Sequence, residues 1–357
     1  MDNKKTYKIL TILLVMQWAF LRIIAQYPAI IEKYYTLGLY VYISKFLSLL
    51  FGWIPFSVGD ILYALLAVVV IINIYKTIKG KKLHFKNTLF KIGGFVSIFF
   101  FIFHLNWGLN YFRQPVHKTL NFENERYTAN ELVDFTEKLI LKINQVHLTI
   151  TKNDTLVVEN GLKKQEIKEI SYNVYKQFQK KYPQFYHENL KAKYSLFSVP
   201  LTYMGFAGYL NPFTNEAQVN FLIPKNTYPM VICHELAHQV GIAPESEANF
   251  VGYLAATNSD DVYFNYSGYL MAIRFCLFEI YQKDPKKFEV LKIELNKGIL
   301  KDIQQSEDFW KSYQNWSEKY FKTFYDSFLK ANKQKDGIKS YNKVVLLLVN
   351  YHKTREL

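Results

Sequence analysis

The sequence predicts an α+β chain, mainly helical, in which N-terminal transmembrane helices precede a larger domain with a small β-sheet. Three observations carry this. Long apolar runs are confined to the first 112 of 357 residues, and helix-period amphipathic segments dominate 113–357. Between His187 and Pro224 the chain turns rich in β-branched and aromatic residues, interrupted by Pro200, Gly205, Gly208, Asn211 and Pro212.

Ile9 to Ile24 follows Lys4, Lys5 and Lys8 and is nearly uninterrupted apolar sequence, giving a first span near 9–26. No small-residue cleavage site follows it and further apolar runs do, so an uncleaved anchor is expected. Ile61 to Tyr75, lengthened by Phe56 to Asp60, gives a second span near 57–75, and Ile92 to Trp107 a third near 91–109. Leu37 to Trp53 is apolar but carries Lys45 and ends in Gly52-Trp-Ile-Pro55, which suits an interfacial or re-entrant helix near 37–53. Lys76, Lys79, Lys81, Lys82, Lys86 and Lys91 crowd the connection between the second and third spans. The positive-inside rule puts that connection and the lysine-bearing N-terminus in the cytoplasm, so the third span delivers 113–357 to the other side. The expected setting is the cytoplasmic membrane, crossed several times, with the large domain extracytoplasmic. His104 and Asp60 lie near span ends, where interfacial placement accounts for them.

The formal net charge is +14. Part of it sits in the basic connection, where it sets topology and attracts anionic lipid. No nucleic-acid motif accompanies it, so the lipid bilayer is an expected partner and nucleic acid is not.

In the large domain, Thr128 to Val146 and Gln165 to Tyr182 read as helices, the first capped by Thr128 or Asn130 and the second stopped before Pro183. Leu196 to Tyr203, Phe206 to Leu210 and Ala217 to Ile223 read as short strands. Tyr266 to Gln282 is a strongly apolar helix. Lys286 to Ile303 and Asp308 to Lys330 are amphipathic ones, and Gly337 to Val349 is too short an apolar run for a secure span.

The chemistry is concentrated in Val231 to Val240, where His234, Glu235 and His238 spell H-E-x-x-H on an apolar, helix-compatible stretch. Histidines four apart share a helical face and can reach one Zn²⁺. Glu235, about 100° around the helix, can take a proton from a water. A catalytic zinc site wants three protein ligands, so a third should lie close by. Gly241 permits a tight turn and Pro244 suits the first turn of a second helix, which continues through Ala248, Phe250, Val251, Leu254 and Ala255. Glu245 and Glu247 point about 200° apart on that helix, so one of the two is the expected ligand. Glu245-Ser-Glu-Ala-Asn249 resembles the second motif of the gluzincin zinc peptidases. The resemblance implies Glu245 as ligand and Asn249 as the group orienting a ligating histidine, with Glu247 the alternative.

Zinc peptidases commonly set an edge strand beside the metal for an extended substrate, and Ala217 to Leu222, with Ala217, Val219 and Asn220, is the candidate. Tyr341, Tyr203 and Tyr269 are candidate donors to an oxyanion. Cys233 and Cys276 fall on apolar helices, and Cys233 reads as packing beside His234.

Several sequence blocks in order, Pro55-Phe-Ser-Val-Gly-Asp60, Trp107-Gly-Leu-Asn-Tyr-Phe-Arg113, Tyr203-Met-Gly-Phe-Ala-Gly208, Pro212-Phe-Thr-Asn-Glu-Ala217 and His234 to Phe250, resemble a bacterial membrane-protein family known as domain of unknown function 3810. The resemblance implies a membrane-anchored, zincin-like domain of unstated substrate. The expected organisation is a membrane domain, 1–112, and an extracytoplasmic zincin-like domain, 113–357. The expected function is a membrane-anchored zinc metalloendopeptidase acting on an unknown protein or peptide. Alternatives are a zincin-fold sensor or binding protein without turnover, and a zinc amidase acting on cell-wall material.

Overall fold

The protein is described by a computed structural model covering residues 3–79, 85–332 and 341–357. It is mainly helical, with one three-stranded sheet, and forms two compact units. One comprises Met1–Gln114 together with Asn211–Glu216, the other Pro115–Leu210 together with Ala217–Leu357.

The first unit contains α1 (Asn3–Ile24), α2 (Pro28–Ile30), a π-helical run (Ile31–Leu39), α3 (Tyr40–Phe51), α4 (Val58–Lys79) and α5 (Phe85–Asn106). Three helical stretches, Lys4–Ile24, Val58–Lys79 and Lys86–Asn106, are long and apolar enough to cross a bilayer. Their large side chains, among them Val15, Phe20, Ile71 and Phe101, are exposed, as suits lipid rather than water. Helix α2, the π-helical run and α3 follow one another without a break over Pro28–Phe51, and this stretch is not among those three. Lys81 and Lys82 of the basic connection lie outside the described residues.

Buried polar pairs knit this unit together. The Arg113 guanidinium donates to both oxygens of Glu32 at 2.8 and 2.7 Å, a two-bond pairing that fixes orientation as well as charge. The Thr36 hydroxyl donates to Asn110 Oδ1, and the Tyr40 hydroxyl to Asn215 Oδ1. Glu216 accepts from the Val58 and Gly59 amides at 3.2 and 2.6 Å, putting a carboxylate at the start of α4 where unpaired amides and the helix dipole favour one. The Phe213 ring meets Tyr63 and Phe99 edge-on.

The second unit begins with the short turn α6 (Val116–Thr119), then α7 (Ala129–Thr151) and α8 (Lys164–Lys181). Thr128 caps α7 with a full capping box, its hydroxyl accepting from the Glu131 amide while the Glu131 carboxylate accepts from the Thr128 amide. Next come β1 (Ala192–Tyr194), α9 (Ser198–Met204), β2 (Gly208–Asn211) and β3 (Glu216–Val219). The strand order is β1-β3-β2, with β3 parallel to β1. The remaining helices are α10 (Tyr228–Gln239), α11 (Glu245–Thr257), α12 (Val262–Lys283), α13 (Pro285–Lys292), α14 (Lys297–Ser312), α15 (Glu318–Ala331) and α16 (Tyr341–Tyr351). The core lies where α10, α11 and α12 pack together, around Ile232, Leu236, Phe250, Leu254 and Ile273.

Several sequence expectations are corrected. Leu196 to Tyr203 is not a strand: Ser198 to Met204 is helical, because Pro200 falls in the first turn, where a missing amide costs nothing, and the Thr202 hydroxyl bonds back to the Ser198 carbonyl. Lys286 to Ile303 divides into α13 and α14 at Asn296, whose amide and side chain bond Asn144. Asp308 to Lys330 is likewise broken, with Asn315 Oδ1 accepting from the Ser317 amide ahead of α15. Pro244 caps α11 rather than opening it.

Candidate metal centre

Helix α10 carries the H-E-x-x-H run through the middle of the second unit. Its flanks are almost wholly buried, Ile232, Cys233, Leu236 and Ala237 each having no exposed surface. The Tyr175 hydroxyl donates to the Cys233 carbonyl and the Ser267 hydroxyl accepts from the Met230 amide, which pins the helix rotation. Burial pushes the Cys233 thiol pKa upward. Both cysteines are free thiols, and Cys233 is packing.

Gly241 ends the helix with φ of 92°, in the left-handed region that suits glycine. The chain then turns back and α11 begins at Glu245. The rings of His234 and His238 meet edge-on, their centroids 4.6 Å apart. Glu245 reaches both: Oε2 lies 3.3 Å from His234 Nε2, and Oε1 lies 3.6 Å from His238 Nε2. Two imidazole nitrogens and a carboxylate therefore converge on one point. Glu247 does not join them. Its Oε1 accepts from the Val116 amide at 3.2 Å, as the angular separation of the two glutamates on one helix requires.

Candidate ligand atoms of His234, Glu235 and His238 also fall within 4.8 Å of one another, so two carboxylates compete for the third position. Glu245 fits it better, because it bridges both Nε2 atoms whereas Glu235 lies beside them. Glu235 is 3 % exposed and its Oε2 has no hydrogen-bond partner. Burial raises its pKa to about 7, against the partly offsetting pull of His234 and His238. For His238 burial acts downward, but Glu245 outweighs it and lifts the pKa to about 9. Glu245 itself is held well below the usual carboxylate range: burial would raise it, and the two histidines prevail.

His238 Nδ1 lies 2.7 Å from the Ile242 carbonyl, so Nδ1 donates to it and Nε2 is turned to the cluster, where its own proton must leave before it can act as a ligand. His234 Nδ1 is buried with no hydrogen-bond partner. Asn249, expected to orient a ligating histidine, makes no hydrogen bond to either ring among the described residues; at His238 Nδ1 the acceptor is the Ile242 carbonyl. The donor set, two imidazoles and one carboxylate with a further buried carboxyl alongside, is of a kind that could hold a zinc ion.

Ala217, Val219 and Asn220 are fully buried, and β3 is the central strand, its two neighbours already using its edges. They cannot receive an added strand. The strand beside Glu235 is β2, where a Cβ on Gly208 would stand 2.5 Å from Glu235 Oε1 and 2.6 Å from the Gln218 carbonyl. Of the tyrosines expected as donors, Tyr203 meets Tyr313 edge-on and Tyr269 is buried against Tyr253; the Tyr341 side chain lies outside the described residues. Tyr325, on α15, is the phenol at the site, donating to Glu245 Oε1 at 2.6 Å. It is eighty residues from Glu245 in sequence, with nothing local to mark it. Gly208 closes a block that the family resemblance had singled out, and that was the only sign of it.

No curated protein and no solved structure matches the chain. One family model does, over residues 35–349, described as protein of unknown function, DUF3810. That match covers most of the sequence and takes in the whole H-E-x-x-H region, so the chain belongs to the DUF3810 family.

Proposed function

We propose that this is a membrane-anchored zinc metallopeptidase with a zincin-like catalytic domain, cleaving peptide bonds outside the cytoplasm. The observation that supports it best is the bridging of His234 and His238 by Glu245, with the buried Glu235 carboxyl set alongside. His234, His238 and Glu245 would hold the metal. Zinc, when bound, supplies a Lewis acid that polarises a carbonyl and acidifies water toward neutrality.

The rest of the chemistry belongs to the chain. Glu235, with a pKa near 7, is matched to accept a proton from the attacking water and later pass it to the leaving amine. Gly208 keeps side-chain bulk away from that carboxylate. The Ile242 carbonyl fixes the His238 ring, and the Tyr325 hydroxyl fixes Glu245. The orientation rests on the lysines flanking the second and third spans, which the positive-inside rule assigns to the cytoplasm.

The test is the purified full-length protein in detergent, assayed for zinc content and for cleavage of a peptide library, beside Glu235→Gln and His234→Ala. Glu235→Gln should keep its zinc and lose turnover, and His234→Ala should lose both. Undiminished cleavage by Glu235→Gln would overturn the mechanism, and equal zinc binding by His234→Ala would overturn the site.

A further inference from the structure

Helix α15 and the turn before it present an aromatic ridge to the outside. Trp316, Tyr320 and Phe324 recur every four residues, so they fall on one helical face, and they are 80 %, 59 % and 75 % exposed. The Trp316 and Tyr320 rings touch edge-on. Lys319 lies over the Tyr320 ring, and Lys322 and Lys330 pair with Glu318 and Asp326 one turn away. The opposite face is used: Leu329 is fully buried, the Phe206 ring packs on Tyr325, and the Tyr325 phenol reaches Glu245. Helix α9 packs against α15 and adds exposed Val199 and Tyr203 to the apolar surface.

Large aromatics exposed in a row are costly in water and mark a surface that meets something apolar. We propose that the Trp316–Tyr320–Phe324 ridge of α15 docks on the surface of a lipid bilayer. The composition points to lipid rather than to peptide. Trp, Tyr and Lys together are the residues of the membrane interface, where amphipathic rings sit at headgroup level and lysines extend toward water. A bilayer is also at hand, because the same chain holds three helices able to cross one. The helix has three lysines against two acids, so docking depends on the rings more than on charge and proceeds on zwitterionic lipid. The ridge that meets lipid and the phenol that holds Glu245 ride on one helix, so lipid contact is tied mechanically to the proposed metal centre. The docking itself does not depend on the zinc reading.

The test is a spin label at Phe324→Cys and, separately, at Trp316→Cys, in the full-length protein reconstituted into phosphatidylcholine vesicles. A label at Leu141→Cys, an exposed apolar position on α7, is the aqueous control. Cys233 and Cys276 are buried and take up little label. Collision rates with oxygen and with a water-soluble nickel chelate are read for each. Lipid docking raises oxygen collisions and lowers nickel collisions at 324 and 316 by several-fold relative to 141. Equal nickel access at all three positions overturns the proposal. So does shielding from both reagents, which marks a protein or peptide covering the ridge instead. None of these readouts involves metal or turnover, so their outcome is separate from that of the zinc assays.

Discussion

Replacing Gly208 by alanine tests the close approach of β2 to Glu235. The added carbon would stand 2.5 Å from Glu235 Oε1, 2.8 Å from its Cδ and 2.6 Å from the Gln218 carbonyl oxygen. An ordinary contact is about 3.5 Å, so the shortfall is close to 1 Å on both sides. The Gln218 oxygen is backbone of a paired strand and yields little, leaving the Glu235 carboxylate to move. Overpacking of this kind costs about 1–3 kcal/mol. For a unit of this size each kcal/mol lowers Tm by about 2–4 °C, so a fall of about 2–12 °C is expected. Shifting the proton acceptor by about 1 Å should reduce turnover on the order of 100-fold. Zinc affinity, measured by competition with a chromogenic chelator, should stay within about threefold, because the atoms nearest the new methyl belong to Glu235 and Gln218 rather than to His234, His238 or Glu245; about 0.7 kcal/mol corresponds to that factor. A Gly208→Ala protein that melts and cleaves like wild type would refute the packing argument.

The two glutamates of α11 should separate cleanly. Glu245→Gln is expected to weaken zinc binding by more than about 100-fold, since a ligand costs more than the outer partners that typically contribute 10–100-fold. Glu247→Ala should leave zinc affinity unchanged and lower stability by about 1–3 kcal/mol, having removed the carboxylate that accepts from the Val116 amide. Tyr325→Phe removes the donor to Glu245 and should lower zinc affinity about 10–100-fold with little change in Tm; unchanged affinity would show that Glu245 needs no such support. His352, between Tyr253 and the Arg355 carbonyl, has its pKa lowered by burial to about 4. The unfolded chain takes up the proton near pH 6.5 and the native one only near 4, so stability falls as pH drops across that window. The loss should be about 3 kcal/mol in denaturant titrations, and His352→Gln should flatten it.

What could be read in the sequence was what short range dictates. The three apolar helices, the Thr128 capping box, the Gly241 turn and the sharing of one face by His234 and His238 all follow from residues within a few positions of one another. Errors came where a longer-range partner decided. Asn144 settles the break at Asn296, and the sheet order, which no local pattern encodes, makes β3 central and so removes Ala217 and Val219 from any edge. The choice between Glu245 and Glu247 needed the position of the Val116 amide. Tyr325 could not have been foreseen, since a tyrosine on an amphipathic helix has no signature until α15 is placed against the site.

The carboxylate that caps α4 belongs to residue 216, made 158 residues after Val58. During synthesis this membrane helix therefore waits for most of the second unit's first half before its leading amides find their partner, and α4 is completed late. The same arrangement bears on dissection of the molecule. A fragment starting at Pro115 would carry the Asn211–Glu216 turn away from Tyr63, Phe99 and the α4 amides, exposing Phe213 and stranding Glu216. A fragment cut at Pro115 is therefore expected to be less stable than the whole chain, which is better handled intact in a lipid or detergent environment.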